Sequence, residues 1–160
     1  MADLLGDGNV KVTFVETIAD IQNPTESELN AGTDLQMVIT KDGLNINPEQ
    51  SAVDNTALGS REETEDAGTV KYTIELTVKR QDTPETDIGW TTLRDRRLGY
   101  LVVRRNRPHE EPYEAGDEVE VYPVRCGRPM MQPPELNTAQ RFTCRLFNHT
   151  PPAPMAVVAA

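Results

Sequence analysis

Residues 31–46, AGTDLQMVITKDGLNI, and residues 69–80, TVKYTIELTVKR, decide how the chain is read. In the first, Leu35, Met37 and Ile39 alternate with polar neighbours, the period of a half-buried strand. Asp42-Gly43 supplies the pair that tolerates positive φ in a two-residue hairpin turn. With Lys41 facing Leu44, Ile39 would face Ile46, and the apolar residues of both arms would share one side. In the second stretch Tyr72, Ile74, Leu76 and Val78 alternate with Thr73, Glu75, Thr77 and Lys79, the cleanest strand signal in the chain.

Between these segments, residues 47–69 show neither a helical nor a strand period, and a long loop is expected. Loops of this length in compact domains are functional or disordered. Glu49, Asp54, Glu62, Glu63, Glu65 and Asp66 against Arg61 give it a charge of −5, half of the chain's −10. Residues 70–107 carry +4, so acidic and basic blocks of separate copies could pair through complementary fields; a solvated mixed-charge surface is the plainer alternative.

The order of parts and three segments, AGTDL…ITKDGLNI, SAVDNTALGS (51–60) and KYTIELTVKRQ (71–81), resemble the major tail tube proteins of long-tailed (siphophage-like) bacterial viruses, over roughly residues 9 to 150. The resemblance implies a mainly β fold, a β-sandwich or partly closed barrel with one short flanking helix. It implies six-subunit rings stacked into a hollow tube that conducts DNA from capsid to host without specific binding. It further implies a virion tail location after assembly in the host cytoplasm, and contacts with a tape-measure protein, a tail tip or initiator and a tail terminator.

The remaining sequence is compatible with that reading. At 160 residues the chain suffices for one domain, yet 37% hydrophobic and 5% aromatic residues make a lean core for a monomer. Strands are expected at Val10–Thr17, Leu98–Arg105, Glu118–Cys126 and Thr138–Phe147, with Pro123 marking a bulge or an edge. A helix over about 84–97 would start behind the cap candidates Asp82 and Thr83, with Glu85 and Asp87 near its start and Arg94, Arg96 and Arg97 near its end, an order that suits the helix dipole. Trp90 would anchor it. Residues 20–30 are read as loop. The single domain would occupy 1–150, followed by a proline-rich tail at 151–160 that is disordered or docks on a neighbour.

No apolar run reaches the ~18 residues of a membrane span, so no membrane partner is expected. His109 and His149 stand alone, Cys126 and Cys144 lack a CxxC spacing, and REETED (61–66) lacks the glycine and terminal glutamate of a calcium loop. No nucleophile-elbow, phosphate-loop or zinc motif occurs. Neither an enzyme nor a cofactor is expected.

Glu49, Asp54, Arg61, Glu62, Glu63, Glu65 and Asp66 are the candidates for contact between rings, with Arg104 and Arg105 as their partners. Arg104, Arg105 and Arg107 form the one dense basic patch, for which DNA contact and a solvated strand end are alternatives. Glu16, Glu75, Glu118 and Glu120, strand acids on mostly polar faces, are candidates for a lumen wall that repels phosphates. A head–tail connector or tail-terminator ring, or a monomeric β-sandwich binding module, are the other functions the sequence admits.

Overall fold

A computed structural model describes all of residues 1–160. Its elements are β1 (Lys11–Val15), α1 (Glu26–Asn30), β2 (Thr33–Asp34), β3 (Ile39–Asp54), β4 (Glu65–Lys79), α2 (Ile88–Thr92), β5 (Leu98–Arg104), β6 (Glu118–Cys126), β7 (Met130–Met131), β8 (Arg141–Asn148) and β9 (Ala153–Val157). The strands form one antiparallel sheet in the order β2-β1-β5-β6-β8-β4-β3, with β7 on β8 and β9 on β6. The fold is mainly β, as the sequence implies.

Alternation along the strands sorts side chains into two cores. Val12, Phe14, Leu101, Val103, Tyr122, Val124, Phe142, Leu146, Ile74, Leu76 and Val78 meet in one cluster, although β1 and β4 lie far apart in the strand order. The sheet therefore curls around this core. Residues 35–38 fill the gap: the Leu35 N–H donates to Val12 O and the Lys79 N–H to Val38 O. The curl is open, because β3 and β1 do not pair. On the opposite face of β1, β5, β6 and β9, a second core gathers Val15, Ile18, Leu29, Val102, Tyr113, Val119, Val121, Ala153, Ala156 and Val158.

Asp42-Gly43 does not make a hairpin turn. Strand β3 runs on to Asp54, Ile39 pairs with Val78 and Leu44 with Leu76, and residues 40–43 bulge opposite Thr77 alone. Gly43 is needed for close approach rather than for positive φ: a Cβ there would lie 2.4 Å from the Thr77 carbonyl oxygen. The expected loop at 47–69 is for the most part strand as well. Asn47 to Gln50 pair with Thr73 to Val70, and Ala52 to Asp54 with Ala67 to Glu65, leaving a turn at 55–64.

Four further expectations are revised. The helix over 84–97 contracts to the single turn of α2, whose N-cap Asp87 makes no capping bond and instead accepts from Arg80 Nε at 2.7 Å and the Gln81 N–H at 3.2 Å. Trp90 does anchor it, edge-on to Phe142 with ring centroids 5.1 Å apart and under the Arg80 guanidinium at 4.1 Å. Residues 25–28, TESE, form a capping box that starts α1, with Thr25 Oγ1 accepting from the Glu28 N–H and the Glu28 carboxylate accepting from the Thr25 N–H. The C-terminal tail lies on its own subunit: β9 pairs with β6, and Ala153 and Ala156 are fully buried. Pro123 sits neither at a bulge nor at an edge. It falls where the second side of β6 passes from β9 (up to Val121) to β8 (from Val124), a gap in which a missing N–H costs no ladder bond.

Candidate assembly surfaces

Strand β4 pairs with β8 only over Ile74–Lys79. Beyond that point β3 and β4 continue as a two-stranded arm that has no third strand on either side and is exposed along almost its whole length. This arm carries the predicted contact residues. Glu49 faces Lys71 across the pair, while Asp54 faces Glu65 and Val53 faces Asp66. Arg61, Glu62 and Glu63 lie in the turn, which is tied by Asn55 N–H to Thr64 O (3.1 Å), Thr64 N–H to Thr56 Oγ1 (3.0 Å) and Thr64 Oγ1 to Asn55 Oδ1 (2.7 Å). The hydroxyl and N–H of Thr56 hold the Asp54 carboxyl below the usual carboxylate range. Leu58 projects from the turn, fully exposed.

The proposed basic partners are not available to that arm in the way the sequence suggests. Arg104 is fully buried beneath the second core. Its guanidinium donates to the carbonyls of Pro108 (2.8 Å), Glu111 (2.8 Å) and Pro112 (3.0 Å), and reaches Asp117 Oδ2 at 3.4 Å. It organises the 106–117 loop and cannot meet another copy without unfolding it. Arg107 closes the same loop from outside, bonding Asp117 at 2.7 Å and Glu111 at 2.7 Å. Burial alone would raise the Asp117 carboxyl, but the Glu114 N–H, Arg107 and Arg104 outweigh it and hold it below the usual range. Arg105 is half-exposed and paired with Glu120.

The four lumen candidates do not form a common wall. Glu16 follows β1 and pairs with Arg97, next to the start of β5. Glu120 accepts from Arg105 and from the Tyr122 hydroxyl (2.7 Å) at the other end of the sheet, and Glu118 lies two residues away opposite Val157 of β9. Glu75 alone lies on the outer face of β4, with Arg145 of β8 on one side and Asn45 of β3 on the other.

That outer face of β8, β4 and β3 has no layer over it, since the second core covers only the β1, β5, β6 and β9 part of the sheet. Its residues are Arg141, Thr143, Arg145 and Phe147 on β8, Lys71, Thr73, Glu75, Thr77 and Lys79 on β4, and Asn45, Asn47 and Glu49 on β3. Arg125 of β6 adjoins it opposite Phe147. Sequence reasoning missed this surface because its cations are scattered singly over three strands; the alternation of β4 and β8 already placed Lys71, Lys79, Arg141 and Arg145 on their polar faces.

Cys126 and Cys144 are free and buried in the first core, and the Cys144 thiol donates to the Gly127 carbonyl at 3.6 Å. No helix is long and apolar enough to cross a membrane.

No curated protein matches the chain. Among solved structures, one chain of the cryo-EM structure of the 6-fold symmetrised anti-feeding prophage (AFP) baseplate shares the fold, with a TM-score of 0.56 at 13% identity over 94% of this chain and 95% of that one. The family model described as phage tail tube protein matches residues 1–160, every residue of the sequence. An open curled sheet with a projecting arm, matched over its full length by that model, is a structural tail component, and the chain belongs to the phage tail tube protein family.

Proposed function

We propose that six copies of this chain close into a ring and that rings stack into the hollow tail tube through which DNA leaves the capsid for the host. The observation that carries the reading is the pair of open sheet ends. At one end β3 presents the outer edge of a 16-residue strand, and at the other β1 is covered only by the two residues of β2. Unpaired edges of this length invite a further strand. Pairing one end of a subunit with the other end of its neighbour is a heterologous contact, the kind that closes into rings. In such a ring the uncovered face of β8, β4 and β3 turns toward the lumen.

The overhanging arm is the contact between rings, as the candidates Glu49, Asp54, Arg61, Glu62, Glu63, Glu65 and Asp66 suggest. Arg105, half-exposed, can take part; Arg104 has no role there. Of the acidic lumen candidates, Glu75 fits. A tape-measure protein, an initiating tail tip and a terminator are the remaining partners of such a tube.

Electron microscopy of the purified protein over a range of concentration and salt tests the reading. Hollow filaments of stacked rings are expected. Isolated rings would point to a connector or terminator, and subunits that stay monomeric when tail-tip complexes are added would refute the tube. Removing residues 57–62 of the turn should leave a folded subunit that forms no filaments; filaments of ordinary length from that variant would refute the role of the arm.

A further inference from the structure

We infer that the uncovered face of β8 and β4 is a sequence-independent site for a nucleic-acid phosphate backbone. The inference rests on the tube reading for which polyanion the face meets, and on strand register alone for the face itself.

Five cations project from this surface, Arg125, Arg141, Arg145, Lys71 and Lys79, against two carboxylates, Glu49 and Glu75. On a chain of net charge −10 this is a local reversal of sign. Arg125, Arg145, Lys71 and Lys79 form no ion pair, and Arg141 has one long contact at 3.7 Å to Glu135. Away from the face, Arg80 pairs with Asp87, Arg97 with Glu16, Arg105 with Glu120 and Arg107 with three acids, while Arg61, Arg94, Arg96 and Arg128 are unpaired but lie in turns and loops rather than on a sheet face. Glu49 lies opposite Lys71 and Glu75 opposite Arg145, so five cations against two carboxylates leave the face a net charge of +3 within the subunit.

The groups between the cations are hydroxyls and amides: Thr73, Thr77, Thr143, Asn45 and Asn47. Lysine, arginine, threonine and asparagine are the side chains that bond phosphate oxygens without reading bases. Arg145 stacks on exposed Phe147, 4.8 Å from the ring centroid, which holds its guanidinium on the surface. Arg141 and Arg145 are four residues apart, about 14 Å along the strand, a distance over which one strand of B-DNA carries about four phosphates.

A second copy's acidic arm is the competing occupant. Its carboxylates are spread around a turn and along a two-stranded ribbon, with Arg61 among them, whereas the face is a flat array of donors. An extended phosphate chain matches that array better. The consequence departs from a repelling wall: DNA is held weakly, through contacts that sliding exchanges one for another.

The test is fluorescence anisotropy with a fluorescein-labelled 20-bp duplex of mixed sequence and the full chain, kept unassembled as checked by light scattering. Binding should weaken with salt between 25 and 200 mM, with a log–log slope of about −3 to −4. Lys71→Gln/Lys79→Gln/Arg145→Gln, checked for folding by circular dichroism, should weaken binding at least tenfold at 50 mM salt and reduce the slope by about 2 to 3. Arg94→Gln/Arg105→Gln, away from the face, should change neither. No binding at 25 mM salt, or binding unaltered in the triple variant, overturns the proposal. If instead the triple variant and Glu62→Gln/Glu63→Gln both slow self-association and no duplex is bound, the face belongs to the arm of a second copy. Filament formation by the unaltered protein is scored separately, so failure of the tube reading is distinguishable from failure of this one.

Discussion

Replacing Arg104 by methionine tests whether the 106–117 loop is built around one buried cation. The side chain is fully buried, and its guanidinium serves three carbonyls and the Asp117 carboxylate, with the Tyr113 ring 5.1 Å from its centre. Methionine keeps much of the apolar stem but orphans all four acceptors. The carbonyls lie near the surface and can take up water, and Asp117 keeps Arg107 and the Glu114 N–H. The loss should therefore match that of breaking one buried ion pair, about 3–5 kcal/mol, out of a total of about 5–15 kcal/mol for a domain. With a urea dependence of about 2 kcal/mol/M, the unfolding midpoint falls by about 2 M. The adjacent Arg105→Met removes a half-exposed pair and should cost less than about 1 kcal/mol. Urea titration followed by far-UV circular dichroism reads both, and hydrogen exchange should show amides of 106–117 losing protection first in Arg104→Met. Equal midpoints for the two variants would refute the argument, because they differ in burial and not in formal charge.

Acid should unfold the protein in a window set by carboxyls held low in the native state. The Asp117 and Glu28 carboxyls lie below their ordinary values, so their contribution is complete above the unfolded pKa of about 4 and is lost as pH falls through the native value. Asp117→Asn should therefore be less stable at pH 7 and show a shallower loss on acidification, read as urea midpoints between pH 7 and 2.5. Cys126 and Cys144 should resist a thiol-reactive aromatic disulfide in the native protein and react together on unfolding. Burial shields both, and the hydrogen bond to Cys144 together with burial pushes the Cys126 thiol up. Gly43→Ala forces a methyl toward the Thr77 carbonyl at 2.4 Å and should cost about 1–3 kcal/mol in the same titration.

Strands with one face on a core were legible. Ile74, Leu76 and Val78, and Phe142, Cys144 and Leu146, alternate with polar residues because one side meets the first core and the other meets water. The arm was not legible. Residues 47–54 and 65–69 are exposed on both sides for almost their whole length, so no alternation is imposed on them, and a strand without a period reads as loop. Asp42-Gly43 misled for a related reason: the glycine answers a backbone contact from β4, which lies more than thirty residues further along the chain. Arg104 read as part of a surface patch because a run of arginines does not disclose which one the following loop will wrap. Beneath α1, the Thr25 and Glu28 pair was a visible capping signature in a segment read as loop. For β9, two alanines and a valine among prolines carry too little apolar area to predict burial.

The position of β9 also bears on when a subunit becomes competent. The second core joins Val15, Ile18 and Leu29 to Ala153, Ala156 and Val158, more than 120 residues further along the chain, and Thr25 bridges Ala159. At about 5–20 residues per second, translation separates these partners by roughly 6 to 28 seconds. Once β6 has been made, one side of it stays bare until β9 follows. A chain cut short before Ala153 would keep the curled first core yet lack the seam that joins its two ends. Emergence of residues 153–158 thus acts as a checkpoint, and products truncated before them should be left to proteases before they can poison a growing polymer.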